Sequence, residues 1–583
     1  MEVADSRSRA VEIRRRDGAV IVTGWPGALH PVLRRVYAQR GIRDPSEVVH
    51  RLSAMARPEL LGGIDTACGL LADAITRDRR IIVVGDFDCD GATGSAVAVR
   101  GLRLLGARTV GFRVPHRVSH GYGLSPALVA TLEPRPDLIV TVDNGIASHA
   151  GVAAARALGI DVLVTDHHLP AATLPAANAI VNPNLAGDAF PSKALAGVGV
   201  VFYLLLALRS RLFPSDGPGA SPSRPDLSSL LDLVALGTVA DLVPLDFNNR
   251  VLVDAGLRRI RAGRACAGVR ALLEAAGRAP ETVVASDLGY LVAPRINAAG
   301  RLEDMALGID CLLSDDPATA RAIAARLSAI NAERRDLQDA MVEQGESAVA
   351  RWVERNGGAA LPRGVTLFEP DWHAGVVGLV ASKLKERLHR PVVACAPAGD
   401  GSDEVRGSAR SIRGVHVRDV LAEVDARCPG LLLRFGGHAM AAGLSLLRAD
   451  VERFAAEFDA VVRERSAPEL FQPVVLSDGE LEPADLCLEL AHALRAAGPW
   501  GQGFPEPVFD NRFELASWRL VGGRHWRLDL RMAGTPTSAE AMLFNAEPGL
   551  VPPQRFRAAY QLDVNEWNGR QRVQLILRHL QAE

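Results

Sequence analysis

Three runs of apolar residues are unusual for their continuity: Ile81-Ile82-Val83-Val84, Leu138-Ile139-Val140-Thr141-Val142 and Val162-Leu163-Val164-Thr165. A half-exposed strand alternates apolar and polar positions, whereas an unbroken run suits a parallel strand covered on both faces. A fourth run, Leu233-Val234-Ala235-Leu236-Gly237-Thr238-Val239-Ala240, reads the same way and is predicted to be a fourth strand. From about 60 to 310 such runs alternate with Ala-rich stretches of helical spacing, for example 95–105 and 148–158. That alternation predicts βαβ units and a parallel sheet.

The pattern changes along the chain. Residues 198–208 predict a core helix, and 214–225, rich in Pro, Gly and Ser, predict a surface loop. Residues 318–354 keep helical periodicity with no Pro or Gly before Gly345 and predict a helix that bridges two domains. Short alternating runs such as Trp526-Arg527-Leu528-Asp529-Leu530-Arg531-Met532 predict an all-β end, a small barrel or sandwich. The parts are a mostly helical lead-in (1–60), a parallel α/β domain (61–315), a connecting helix (316–355), a second α/β domain (356–467) and a β-rich domain (468–583). No internal repeat is visible.

Length and composition add limits rather than identity. A chain of 583 residues is expected to hold several domains. A net charge of −2 gives no general attraction to a polyanion, so nucleic-acid binding has to rest on local patches. The basic residues are 63 Arg and 3 Lys (Lys193, Lys383, Lys385). Arg suits bidentate phosphate recognition, but a GC-rich coding sequence accounts for it and for the abundant Ala. Seven scattered cysteines with no CxxC pair exclude a zinc ribbon or disulfide framework and fit a reducing compartment. With no apolar signal core at the N-terminus and no run long enough for a bilayer, the expectation is a soluble cytoplasmic protein with no membrane contact.

The ends of the apolar runs carry the chemistry. The first leads into Asp86-Phe87-Asp88-Cys89-Asp90-Gly91, the second into Asp143-Asn144-Gly145, the third into Asp166-His167-His168, and the fourth into Asp241. Carboxylates packed this closely repel one another and are costly to bury without compensation. Hard divalent cations remove that cost by taking carboxylate oxygens as ligands. In open parallel sheets, ligands sit beyond the carboxyl ends of the strands, where these residues fall. A metal site is the reading.

These segments resemble the four ordered motifs of the DHH phosphoesterases: Gly85 to Gly91, Val142 to Gly145, Asp166-His167-His168, and Gly237-Thr238-Val239-Ala240-Asp241. Further matches are Gly121-Tyr122-Gly123-Leu124, Arg295-Ile296-Asn297-Ala298-Ala299-Gly300-Arg301, Trp372-His373, Gly407-Ser408-Ala409-Arg410-Ser411 and Gly436-Gly437-His438. They resemble the branch of that family made of 5′→3′ exonucleases specific for single-stranded DNA. The family's small phosphatases carry a His four residues before the DxD pair, where this chain has Val84; the upstream acid Asp86 is the corresponding ligand candidate.

The residues suit two Mn²⁺ or Mg²⁺ ions held by Asp88, Asp90, Asp143, His167 and Asp241, with Asp86 as a further ligand. Asp166 is a ligand or else orients its neighbour, and His168 contacts the reacting phosphate or moves a proton. The resemblance implies that Ser408, Arg410 and Arg117 hold a 5′ phosphate. It also places Arg295, Asn297, Arg301, His373, Gly436, Gly437 and His438 near the substrate. From Asn511 to Glu583, ten Arg face seven Asp and Glu among aromatics, an OB-type arrangement for single strands. The expectation is a two-lobed monomer hydrolysing single-stranded DNA to 5′-mononucleotides in recombination and repair. Implied partners are a single-strand-binding protein and a RecQ-type helicase. The alternatives are a DHH phosphodiesterase for short oligonucleotides or cyclic dinucleotides, and a non-catalytic nucleic-acid-binding scaffold.

Overall fold

The structure, a computed structural model, describes residues 11–17, 22–116, 121–214, 224–355, 357, 360–399, 401–546 and 549–583. Arg117 and most of the 214–225 stretch lie outside the described residues. The chain forms two compact units. One holds Asp17–Asn331 with Cys487–Pro507; the other holds Ala332–Leu486, Val508–Glu583 and the first strand.

Among the described residues of the lead-in, helix α1 (Pro31–Gln39) and three short helical turns follow one strand that was not expected, β1 (Glu12–Arg15). Four residues are too few to show a period, and the partner of β1 lies near the other end of the chain. On α1, Tyr37 stacks against Trp500 and Phe504, with ring centroids 6.0 and 6.3 Å away, and its hydroxyl donates to Ala497 O at 2.8 Å. Trp500 is therefore core of this unit, not of the C-terminal barrel.

The sheet of the first unit is fully parallel. It comprises β2 (Ile81–Gly85), β3 (Val110–Arg113), β4 (Leu138–Val142), β5 (Asp161–Thr165) and β6 (Ala179–Val181), in the order β3-β2-β4-β5-β6. Helix α2 (Cys89–Leu104) crosses from β2 to β3, and α3 (His149–Ala157) from β4 to β5. Ile81, Val83, Val84, Leu138, Ile139, Val142, Val162, Leu163 and Val164 are fully buried. Each such side chain stabilises the fold by about 1.5–3 kcal/mol. The chain leaves β2 towards β3 on one side and returns at β4 on the other. Such a reversal opens a crevice at the carboxyl ends of the strands.

The expected core helix is α4 (Gly197–Leu212). The fourth apolar run is not a strand: it forms helix α5 (Leu231–Ala240), buried throughout from Leu231 to Thr238 and packed against α2 and α4. A helix apolar on every side has no polar stripe, so its sequence matches that of a buried strand. Past a short π-helical stretch, Leu288–Val292, comes α6 (Ala293–Leu302). The expected connecting helix is α7 (Pro317–Arg355), and the boundary between the units falls within it. No described helix is long and apolar enough to cross a membrane.

The second unit contains a mixed sheet and a barrel. The sheet comprises β7 (Val365–Phe368), β8 (Val392–Pro397), β9 (Glu404–Arg410), β10 (Arg434–Gly437) and β11 (Ala441–Leu447), in the order β10-β11-β9-β8-β7. Only β7 and β8 run parallel. Helix α8 (Val377–Leu388) covers β8 and β9. Strand β12 (Val474–Ser477) pairs with β1 in parallel. The closed barrel is formed by β13 (Phe509–Val521), β14 (His525–Met532), β15 (Ser538–Leu543), β16 (Arg555–Trp567) and β17 (Arg570–Ala582), in the order β13-β14-β15-β17-β16. Phe509, Phe513, Phe556 and Tyr560 fill it.

Asp510 fastens β1 to this barrel. Its carboxylate accepts from Arg15 at 3.1 and 3.0 Å, from Arg557 at 2.9 and 2.6 Å and from Ser477 Oγ at 2.5 Å. Burial opposes its ionisation, but Arg15, Ser477 and Arg557 outweigh that and hold its pKa below the usual carboxylate value. A depressed folded pKa contributes stability that is present above the unfolded pKa, near 4, and lost as pH falls through the folded value. Asp510→Ala is expected to cost about 3 kcal/mol at pH 7. Urea unfolding at a series of pH values should show that difference shrinking below pH ~4.

Candidate metal centre

Each candidate acid owes its place to the end of an element. Asp88 is the N-cap of α2, its Oδ1 accepting from Gly91 N at 3.0 Å. Asp90, in the first turn, is buried against the start of α4: its Oδ2 accepts from Gly197 N at 2.7 Å and its Oδ1 from Val198 N at 2.9 Å. Asp143 leaves β4 with φ +61°. The Asn144 amide beside it donates to Val84 O at 3.0 Å and Val142 O at 2.9 Å, pinning the ends of β2 and β4 together. Asp241 is the C-cap of α5. One turn earlier a Cβ at Gly237 would stand 2.2 Å from Thr93 Oγ1 and 3.0 Å from Asp90 Oδ1. Only glycine lets α5 lie this close to α2 and carry Asp241 to the cluster.

The side chains converge. Potential ligand atoms of Asp86, Asp88 and Asp143, of Asp90, His167 and Asp241, and of Asp143, His167 and His168 form three triads, each within 4.8 Å. His167 Nε2 lies 3.0 Å from Asp143 Oδ1 and 3.6 Å from Asp241 Oδ2. Burial, and after it Asp90, Asp88 and Asp241, drives the Asp143 carboxyl well above its ordinary value; burial, Asp90 and Asp88 do the same to Asp241. Burial and Asp88 push Asp90 up to about 7, against the pull of its two backbone donors. A cluster that resists ionisation this strongly is one that a divalent cation completes. Its oxygen-rich donors with one or two imidazoles fit Mn²⁺ or Mg²⁺.

Asp166 differs from its neighbours. Its Oδ2 accepts from Ile146 N at 2.9 Å, and its Oδ1 from His167 N at 2.7 Å, His168 N at 3.0 Å and His168 Nδ1 at 2.7 Å. Burial works against its ionisation, yet these donors, His168 foremost, keep its pKa low. Of the two roles open to Asp166, the contacts are those of a residue that orients His168. Asn182 and Asn184 were not singled out in the sequence. Their amides donate to His168 O at 2.9 Å and His167 O at 2.5 Å, so they hold the histidine backbone. Their one signal is the polar Asn-Pro-Asn directly after β6. Tyr122, from the Gly-Tyr-Gly-Leu match, sets its ring edge-on to Phe87 and His168, and its hydroxyl donates to Asp143 O at 3.3 Å.

The remaining candidates divide between the units. On α6, Arg295 donates to Ser328 Oγ at 3.0 Å and to the Leu291 and Ala275 carbonyls, committing its guanidinium to the protein. Asn297 Oδ1 accepts from Cys89 N at 2.7 Å, and Arg301 ends the same helix. The other unit holds Ser408 and Arg410 on β9, next to Gly378 at the start of α8. Arg410 Nη1 donates to Ser408 Oγ and Ala409 O, both at 2.9 Å. Burial lowers the Arg410 pKa, and no carboxylate among the described residues pairs with it. His373 is exposed in the loop leading to α8, its Nδ1 accepting from Gly375 N. Gly436 and Gly437 close the edge strand β10, followed by exposed His438.

A parallel sheet delivering aspartates and histidines to one rim is the arrangement of the DHH class. Residues 80–238 match the family model described as DHH family, N-terminal domain, residues 361–464 that of the DHHA1 domain and residues 477–579 that of the RecJ OB domain. The chain is 50% identical to the single-stranded-DNA-specific exonuclease RecJ of Dickeya dadantii, over 98% of its own length and 99% of the relative's. Among solved structures it resembles RecJ from Thermus thermophilus in complex with Mn²⁺, with a TM-score of 0.78 and 32% identity over 98% of this chain and 80% of that one. The Mg²⁺ complex of that protein matches with a TM-score of 0.73 and 31% identity, over 98% and 79%. The chain belongs to the RecJ family of single-stranded-DNA-specific exonucleases.

Proposed function

We propose that this chain hydrolyses single-stranded DNA from the 5′ end and releases 5′-mononucleotides. The convergence of Asp86, Asp88, Asp90, Asp143, His167 and Asp241 into overlapping, partly buried triads carries the reading. These residues would hold two Mn²⁺ or Mg²⁺ ions, which when bound supply an activated water and neutralise charge on the phosphate. Asp166, on Nδ1 of His168, fixes the orientation of the ring, and Nε2 is the nitrogen assigned to substrate in this reading. Burial opposes protonation of His168, but Asp166 and the nearby Asp86 and Asp88 raise its pKa. A protonated Nε2 can donate to a phosphate oxygen or to the departing 3′ oxygen.

Arg410 and Ser408 are the residues for the 5′ phosphate, because a partly buried guanidinium with no carboxylate beside it among the described residues suits an anion. Arg117, given the same task by the resemblance, lies outside the described residues. Arg301 in one unit, and His373, Gly436, Gly437 and His438 in the other, are read as DNA contacts of their own units. In the barrel domain, Phe509, Phe513 and Phe556 are core, whereas Trp518 and Phe544 are 39% and 50% exposed and, among the described residues, are candidates to stack on bases. The protein is read as a cytoplasmic monomer acting in recombination and mismatch repair, with a single-strand-binding protein and a RecQ-type helicase to present its substrate.

The test is digestion of 5′-labelled DNA with Mn²⁺, comparing phosphorylated, blocked and duplex ends and strands of increasing length. Mononucleotides from phosphorylated single strands are expected; cleavage of a dinucleotide alone would transfer the protein to the short-oligonucleotide phosphodiesterases. In the same assay Asp166→Asn should lower kcat about 10–100-fold, the usual cost of losing a residue that orients a site histidine. Unchanged hydrolysis would remove the role given to His168.

A further inference from the structure

We propose that Asn297 is a positioning residue of the metal centre, acting through the turn that carries Asp86, Asp88 and Asp90, rather than a contact to DNA. The inference rests on the metal-dependent reading above.

The three acids alternate with Phe87 and Cys89, and α6 holds both intervening residues. Asn297 Oδ1 accepts from Cys89 N at 2.7 Å. That N–H belongs to the first turn of α2, where backbone donors have no partner within the helix. Asp88 caps Gly91 N, so the Cys89 N–H is left to another acceptor, and Asn297 supplies it. Three residues further along α6, a Cβ at Gly300 would stand 2.1 Å from Phe87 O and 3.1 Å from Phe87 C. The helix therefore lies directly on the peptide at Phe87 as well. Arg295 fastens α6 in turn, through Ser328, Leu291 and Ala275. Held at two points, the turn has little freedom to splay, although its carboxylates repel one another. Residues behind metal ligands commonly tune affinity by orienting them.

The experiment is isothermal titration of the DNA-free protein with MnCl₂, alongside kinetics on 5′-phosphorylated single strands. Asn297→Ala should weaken Mn²⁺ binding about 10–100-fold and lower kcat, while KM for DNA at saturating Mn²⁺ changes less than about threefold. Asn297→Asp keeps an acceptor for Cys89 N–H and should bind Mn²⁺ within about threefold of the parent. Melting in EDTA shows whether Asn297→Ala folds. If it does not, Asn297→Gln, which moves the acceptor by one methylene, carries the same expectation. Parent-like Mn²⁺ affinity in Asn297→Ala with a raised KM for DNA would overturn the proposal and return Asn297 to the DNA path. Failure of the parent protein itself to bind Mn²⁺ would instead remove the reading on which the inference rests.

Discussion

Asp143→Asn should abolish hydrolysis of single-stranded DNA, by on the order of 10³-fold or more, and at the same time make the metal-free protein melt at a higher temperature. The two effects have one source. Asp143 offers ligand atoms to two of the three triads, so its loss would disturb the metal sites proposed on both. In the metal-free state its carboxyl is buried among Asp90, Asp88 and Asp241 and its pKa is far above the ordinary value. A carboxyl whose pKa rises on folding destabilises the folded chain above its unfolded pKa, near 4, increasingly with pH until the folded pKa is reached. Asparagine carries no such charge. With Mn²⁺ at a hundredfold excess over its Kd, the parent gains about 2.7 kcal/mol and the order should reverse, because the variant has lost a carboxylate common to two of the triads. Scanning calorimetry at pH 7, with EDTA and then with Mn²⁺, checks both halves. A parent protein more stable than Asp143→Asn in EDTA would contradict the electrostatic account of the cluster.

Much of this site was legible because it lies where strands end. Each of β2, β4 and β5 is an unbroken apolar run closed by an acid, and that pattern has few other physical explanations. Asp241 was legible as a residue but not as a position, since α5 is buried on all sides and lacks the polar stripe that marks a helix. What supports the ligands was not legible. Asn182, Asn184 and Asn297 act on backbone atoms of residues brought near only by the fold, through single hydrogen bonds that leave no periodicity. Lys193 shows the same limit. In a chain with 63 Arg and 3 Lys its identity carried no weight, yet its ammonium donates to Pro183 O at 2.6 Å and Asp188 O at 2.9 Å. A compact ammonium, not a planar fork, suits that convergence of carbonyls, and it steadies the segment carrying Asn182 and Asn184. The pairing of β1 with β12 was illegible for a plainer reason: four residues and a distant partner give the sequence no local trace.

Arg410→Met should erase the preference for a 5′-phosphorylated end. A charge-assisted pair between a partly buried guanidinium and phosphate contributes about 2–3 kcal/mol when one side is truncated, so KM for phosphorylated strands should rise on the order of 100-fold. Strands with a 5′ hydroxyl, which never made that contact, should be affected little, and the ratio between the two substrates should fall towards unity. Stability separates this from general damage to the fold. Arg410 is partly buried beside Ser408, that burial disfavours its charge, and no carboxylate among the described residues offsets it. A cation kept in such a place destabilises the free protein, and methionine of similar length can fill the same space without the charge. The variant should therefore melt at or above the parent temperature in phosphate-free buffer. Added inorganic phosphate should raise the melting temperature of the parent and leave that of Arg410→Met unmoved. Arg410→Lys should recover only part of the discrimination, since a point charge replaces a fork that donates to Ser408 and to ligand together. A variant that melts far below the parent while keeping its preference for phosphorylated ends would show that Arg410 serves the sheet of β7–β11 and not the substrate.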